Sequence, residues 1–284
     1  MIMALFLLAA EVLFVAAPFT AEGSFTGEIE GPAVDRAGNV YAVSFAKKNT
    51  IGRVTPEGKA ELFLEMPGTS LANGIRIGKD GMLYVADYTG HNVLKIDPAT
   101  RQVSVFAHEP RMNQPNDLAM SKDGTLWASD PDWKNGTGQL WRIGTDGKVA
   151  RVAEGMGTTN GIDLSPDEKF LYVNESVQRK VWRFRIGRDG SLGDKQLLIA
   201  FPDFAMDGMR VDRKGNLYIS RHGKGTVAVV SPAGKVLREV ATLGSKPSNV
   251  AFGGVDGKTI YVTEMEKGRL VRFRTDTAGR EWGR

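Results

Sequence analysis

Short runs in which apolar and polar positions alternate, broken by Asp-Gly and Pro-containing turns, follow one another along almost the whole chain. A period of two marks half-buried β-strands, not amphipathic helices. In one such run Leu118 and Met120 alternate with small or polar neighbours, Asp123-Gly124 makes a tight turn, and Leu126-Trp127-Ala128 returns. The spacing predicts strands over 116–121, 125–129, 139–143 and 149–153, and no helix is signalled anywhere. The unit recurs: Tyr41, Tyr84, Trp127, Tyr172, Tyr218 and Tyr261 each follow a turn, separated by 43, 43, 45, 46 and 43 residues. A period in the forties with one hairpin turn per unit predicts an all-β, six-bladed β-propeller with four-stranded blades.

The last repeat yields only three strands, over 249–253, 259–263 and 269–274, and residues 275–284 have little strand character. Residues 11–16, Glu-Val-Leu-Phe-Val-Ala, have the length and pattern to supply the fourth. The ring is therefore expected to close by an N-terminal strand pairing in the last blade, which removes an exposed sheet edge. One propeller domain is expected over 11–284, preceded by an apolar stub or targeting remnant over 1–10. A secretory signal over 1–21 is the competing reading, with cleavage near Ala10, Ala17 or Ala21, but no Lys or Arg precedes the run and Glu11 interrupts it. The expectation is a cytoplasmic protein, periplasmic or secreted if 1–10 or 1–21 serves as a signal. The charge-free stretch is too short for stable membrane insertion.

Composition changes this picture little. The 284 residues are 42% hydrophobic and 25% charged, enough for a large core, and the absence of Cys excludes disulfides and thiolate-bound metals. A net charge of +4 invites a nucleic-acid reading. The excess has a local origin, because Arg53, Lys95, Arg142, Arg183 and Arg272 recur at one place in the repeat, each alone among apolar neighbours. Such residues are solvated outward positions, and no nucleic-acid partner is expected.

The chemistry lies eleven or twelve residues before each aromatic, at Glu30, Asn73, Asn116, Asn160, Asp207 and Asn249. All are acids or amides, and one per repeat brings six oxygen-bearing side chains to the axis of a closed ring. A hard divalent cation takes about six to eight oxygen ligands. Glu30 and Asp207 supply two negative charges, and Asn116 and Asn160 neutral oxygens. The lack of Cys, with His91, His108 and His222 outside these positions, disfavours a soft or borderline metal; one divalent ion is expected, calcium first, with zinc, manganese or magnesium as alternatives. Asn73 and Asn249 are expected to be turn formers. A hairpin returns its last residue to the face of its first, so Asn116 and Asp130 are expected side by side at one mouth. So are Asn160 with Glu175 and Asp207 with Arg221, which makes Asn116, Asp130, Glu175 and Arg221 candidate substrate contacts.

Glu30-Gly31-Pro32, Pro115-Asn116-Asp117, Ser129-Asp130-Pro131, Asn160-Gly161, Asp207-Gly208-Met209 and Ala251-Phe252-Gly253-Gly254 resemble the SMP-30/gluconolactonase family of propeller hydrolases, over essentially residues 11–274. The resemblance implies a divalent metal, usually calcium, held by Glu30, Asn160 and Asp207. It implies that Asn116 binds substrate or metal-bound water and that Asp207 is also the base. The implied reaction is hydrolysis of a small-molecule sugar or related lactone, the metal polarising the carbonyl. Gln114 stands where animal members carry an Arg, and Glu175 where an Asp is commoner. Organophosphate hydrolysis and a metal-plugged binding propeller are the alternatives. No G-x-S-x-G elbow is present, which argues against a serine hydrolase.

Overall fold

The structure, a computed structural model, describes residues 12–283. The residues read as a stub, 1–10, lie outside the described residues, as does Glu11. Six four-stranded antiparallel sheets follow one another in chain order, and no helix occurs among the described residues. The innermost strands are Ala33–Val34, Ala72–Ile77, Leu118–Met120, Thr159–Leu164, Met209–Val211 and Pro247–Gly253, each touching the next and the last closing onto the first. The fold is a six-bladed β-propeller. In the third blade, Leu118–Met120, Leu126–Asp132, Thr137–Ile143 and Val149–Met156 run outward from the axis in sequence order.

Alternation places one face of every strand against the preceding blade and the other against the following one. The core is accordingly divided into six apolar wedges between neighbouring blades. One holds Tyr41, Ile51 and Phe63 of the first blade against Ile75, Leu83 and Leu94 of the second. The repeated aromatic is the hub of its wedge: Tyr41 meets Phe63 edge-on at 5.0 Å, Tyr84 meets Phe106 at 5.1 Å, and Tyr218 meets Phe252 at 5.1 Å. Such pairs add about 0.5–1.5 kcal/mol to the burial of their area. The recurrent basic residues sit near aromatic rings or carboxylates, Lys95 over Tyr84 and beside Asp80, Arg183 over Phe170, Arg272 over Phe19.

An N-terminal strand does close the ring, as the outermost strand of the sixth blade, but its position corrects the expectation. The strand is Ala17–Pro18, with Ala17 opposite Arg272 and Pro18 opposite Val271, not residues 11–16. Burial of Phe19 decides the register. Phe19 fills the wedge between the sixth and first blades against Tyr261, at 4.9 Å between ring centroids. With Phe19 seated there, residues 12–16 run past the end of the partner strand. Leu13 retains one bridge to Arg274, while Val12 and Val15 are exposed.

Candidate axial site

Each innermost strand starts at the mouth where the loops from the preceding blade arrive, and it ends at the opposite mouth in a tight turn. The six in-phase acids and amides thus share one level of the channel. Crowding there is severe, and glycine follows four of the six. A Cβ on Gly208 would lie 1.9 Å from the Asn249 side chain, and one on Gly161 would lie 2.6 Å from the Asp207 carbonyl oxygen. The backbones approach this closely because those positions carry no side chain.

Two hydrogen-bonded groups form at this level. Asn160 Nδ2 donates to Asp207 Oδ1 at 2.8 Å and to Ser176 Oγ at 3.1 Å. Asn249 Nδ2 donates to Glu30 Oε2 at 3.0 Å, and the Gly31 N–H donates to the same oxygen at 2.7 Å. Electrostatics join the two groups. Burial pushes the Asp207 carboxyl well above the usual range, and the Glu30 charge beside it adds to the rise. Glu30 itself is pushed up to about 7 by burial, with the Gly31 N–H and Asn249 acting in the opposite direction. The more distant Arg210 charge favours ionised Glu30 but does not outweigh burial.

Glu30, Asn160 and Asp207 are brought together at the axis. The Asn116 side chain, 7% exposed, makes no hydrogen bond among the described residues, while its backbone carbonyl accepts from Asn73 Nδ2 at 2.9 Å. Asn249 is more than the turn former expected of it, since it is fully buried and holds Glu30. The other three candidates lie outside this group. Asp130 is fully buried and accepts from the Asn113 and Gln114 N–H groups, Gln139 Nε2 and Trp141 Nε1. Glu175 accepts from the Gly157 N–H at 2.8 Å. Arg221, over the Phe201 ring, donates to the Asp203 carbonyl and carboxylate.

These hydrogen bonds tie Asp130, Glu175 and Arg221 to neighbouring loops. Each sits at the end of its blade's second strand and grips the loop that leads into the same blade's innermost strand. Asp87 does the same for Leu71, and Glu264 for Lys246. Asn116 and Asp130 are neighbours along the backbone, Asn116 N–H donating to the Ser129 carbonyl at 2.8 Å, but the Asp130 carboxylate is saturated by the loop that carries Asn116.

Sequence reasoning missed two groups. Tyr88, partly exposed, has its hydroxyl beside the Trp133 indole and feels the Asp207 charge. Below the axial level, Asp117 accepts from Arg210 Nη1 at 2.7 Å and from Asn249 Nδ2 at 3.4 Å, so it ties Asn249 to the buried arginines beneath. The signal was present, because Asp117 occupies the position that Gly31, Gly74, Gly161 and Gly208 hold in other repeats.

The residues present fit a hard cation. Among the described residues no group of three or more His, Cys, Asp or Glu is disposed to hold a metal. The axial set instead mixes two carboxylates with amides, and Asn160 Oδ1 is buried there with no hydrogen-bond partner. An orphaned carbonyl oxygen next to two carboxyls is what an oxygen-seeking ion satisfies.

Fold and site together define a propeller whose axis is a cage of oxygen donors, open at the mouth where Asn116 and Tyr88 lie. The chain belongs to the SMP-30/Gluconolactonase/LRE-like family, whose sequence model matches residues 16–266. It is 30% identical to a gluconolactonase of Zymomonas mobilis over 94% of this chain and 84% of that one. It is 33% identical to a 6-deoxy-6-sulfogluconolactonase of Pseudomonas putida over 51% of each chain. The fold matches that of a regucalcin from Agrobacterium tumefaciens, described as a calcium-binding protein, with TM-score 0.82, 20% identity, and coverage of 95% of this chain and 97% of that one.

Proposed function

We propose that this protein is a metal-dependent lactonase that opens a sugar or related aliphatic lactone to its hydroxy acid. One observation carries the reading: Asn160 Oδ1 is buried without a hydrogen-bond partner beside the Asp207 and Glu30 carboxyls. The lactonase names of its relatives support the substrate class. Glu30, Asn160 and Asp207 would hold one divalent ion, most simply calcium, and Asn116 would offer a further oxygen. When bound, the ion supplies polarisation of the lactone carbonyl and charge stabilisation as the oxyanion develops.

The remaining steps belong to the side chains. Asn249 and the Gly31 N–H fix the Glu30 carboxylate, so its orientation needs no reorganisation during reaction. The side chains of Asn160 and Asn174 fix Asp207, whose carboxylate accepts from Asn160 Nδ2 and whose carbonyl accepts from Asn174 Nδ2 at 2.6 Å. Asp207 takes a proton from the attacking water as the new C–O bond forms. The ring C–O bond then breaks, and the same proton passes to the departing ring oxygen, which becomes the hydroxyl of the product. Asn116 is free to orient the substrate.

Proton release from glucono-1,5-lactone tests the proposal, using chelator-stripped protein with and without calcium, manganese or zinc. Restored turnover is the expected result. Asp207→Asn should keep the fold and lose about two orders of magnitude or more in kcat, the scale of a positioned general base. Near-normal turnover in that variant would remove Asp207 from the mechanism, and no turnover on any lactone with metal bound would favour a binding propeller.

A further inference from the structure

A cavity of about 890 Å³ opens at the mouth opposite the proposed metal cage. Its floor is made by Arg76, Asp163 and Arg210 of the innermost strands, and its wall by the C-terminal segment Gly279–Gly283. Three guanidinium groups meet on this floor, each no more than 5% exposed: Arg76, Arg210 and Arg280. The buried carboxylates available to them are Asp117 and Asp163.

The pairing is unequal. Arg210 takes Asp117 at 2.7 Å, and Arg280 takes Asp163 through Nε at 2.7 Å. Asp163 also accepts from the Val211 N–H, and Asp117 from the Leu118 N–H and Asn249. Arg76 is left with its own strand's carbonyl at 3.1 Å, the Ile162 carbonyl at 3.5 Å, and Asp117 at 3.7 Å. Its Nε has no hydrogen-bond partner among the described residues. Arg280 Nη1 likewise lacks a hydrogen bond and lies 3.8 Å from Glu168. Burial and the neighbouring Arg210 lower Arg76 to about 10, the mark of a guanidinium short of negative charge. Asp35, Asp80 and Glu281 oppose the excess at the rim, Glu281 lying 2.8 Å from Arg280; Lys79 and Lys122 line the same rim with their ammonium groups on backbone carbonyls.

A buried cation that shares its one near carboxylate, Asp117, with a better-placed arginine is costly unless something supplies further negative charge. We infer that this cavity is a second ligand site, on the far side of the propeller from the metal cage, for a small oxyanion (phosphate or carboxylate) seated on the Arg76, Arg210 and Arg280 guanidinium groups. Guanidinium groups suit such ligands because their paired N–H donors match two oxygens at once. The site is independent of the lactonase reading, and its readout is binding, not turnover.

Titration of inorganic phosphate into the full chain at low ionic strength, followed by calorimetry and by melting temperature, tests the inference. Saturable one-to-one binding with Kd below about 10 mM is expected. Arg76→Gln should weaken it about tenfold, the loss of one charge-assisted contact. Glu281→Gln removes an opposing charge from the partly exposed rim and should tighten binding about twofold. That variant alters no floor residue and keeps the test decisive if Arg76→Gln does not fold. Acetate run in parallel separates a general oxyanion site, which takes both probes, from one selective for phosphate. Absence of saturable binding of either probe overturns the inference, as does binding that neither substitution alters or that a lactone displaces.

Discussion

Replacing Arg280 by Ala isolates what the C-terminal segment contributes. Its side chain and that of Asp163 are 1% and 2% exposed, and Arg280 Nε donates to Asp163 Oδ1 at 2.7 Å. Removal leaves Asp163 charged and buried, with two backbone N–H groups, Val211 and Leu164, as its remaining donors, and also frees the Met120 carbonyl. Breaking one side of such a pair costs about 3–5 kcal/mol. For a chain of 284 residues that corresponds to a fall in Tm of roughly 5–9 °C. Acidity supplies a second signature. Burial alone would raise the Asp163 pKa, but Arg280, Arg76 and Arg210 together hold it below the usual value. A depressed carboxylate pKa gives stability that is complete above the unfolded value of about 3.9 and is lost as pH falls through the folded one. Wild type should therefore lose stability on acidification below about pH 4 more steeply than Arg280→Ala, and the gap between them should narrow. The assay is urea unfolding of wild type, Arg280→Ala, Asp163→Asn and the double variant at pH 7 and pH 3.5. A coupling of about 1–3 kcal/mol is expected in that cycle. A loss under about 1 kcal/mol, or additive single variants, would refute the account of the pair.

Other outcomes follow from the same geometry. Asp130→Ala strands two loop N–H groups and the Gln139 and Trp141 donors; it should cost about 2–4 kcal/mol in urea unfolding and raise KM by loosening the loop that carries Asn116. Gly208→Ala forces its Cβ to within 1.9 Å of the Asn249 side chain and so dislodges the donor on Glu30; calcium should then produce no thermal shift. In the wild-type protein, calcium at about a hundred times its Kd should add about 2.7 kcal/mol to stability. Glu30→Gln should abolish that shift, and calorimetry in the presence and absence of chelator checks it.

The ring was legible because its signals are periodic: a turn and an aromatic every forty-odd residues leave few alternatives. The axial residues were legible for the same reason, Glu30, Asn160 and Asp207 being in phase. Phase alone did not reveal that Asp130, Glu175 and Arg221 hold loops. They share a repeat position as faithfully as the axial set does, but sequence cannot say whether a polar side chain faces a channel or a neighbouring loop. Asn249 escaped for the opposite reason, since its importance lies in holding Glu30 across the junction between the last blade and the first. The closing strand was displaced because one large side chain, Phe19, outweighed the alternation of smaller ones before it. The arginine floor was invisible, for Arg76, Arg210 and Arg280 lie far apart in the chain and only the ring makes them neighbours.

The seam that closes the ring also dictates a schedule. Contacts inside a blade join residues a few dozen positions apart, and five blades can form as their own segments appear. The sixth cannot, because Thr20 Oγ1 accepts the Leu270 N–H across 250 positions of chain. Non-local pairings of this kind form late, once the cost of closing a long loop has been met. During synthesis the first segment therefore waits, with the Phe19 face that meets Tyr261 uncovered, until the strand Arg269–Arg274 has been made. Whatever shields Phe19 in the interval, a chaperone or the growing blades themselves, bears on the yield of intact protein as well as the stability of the finished ring does.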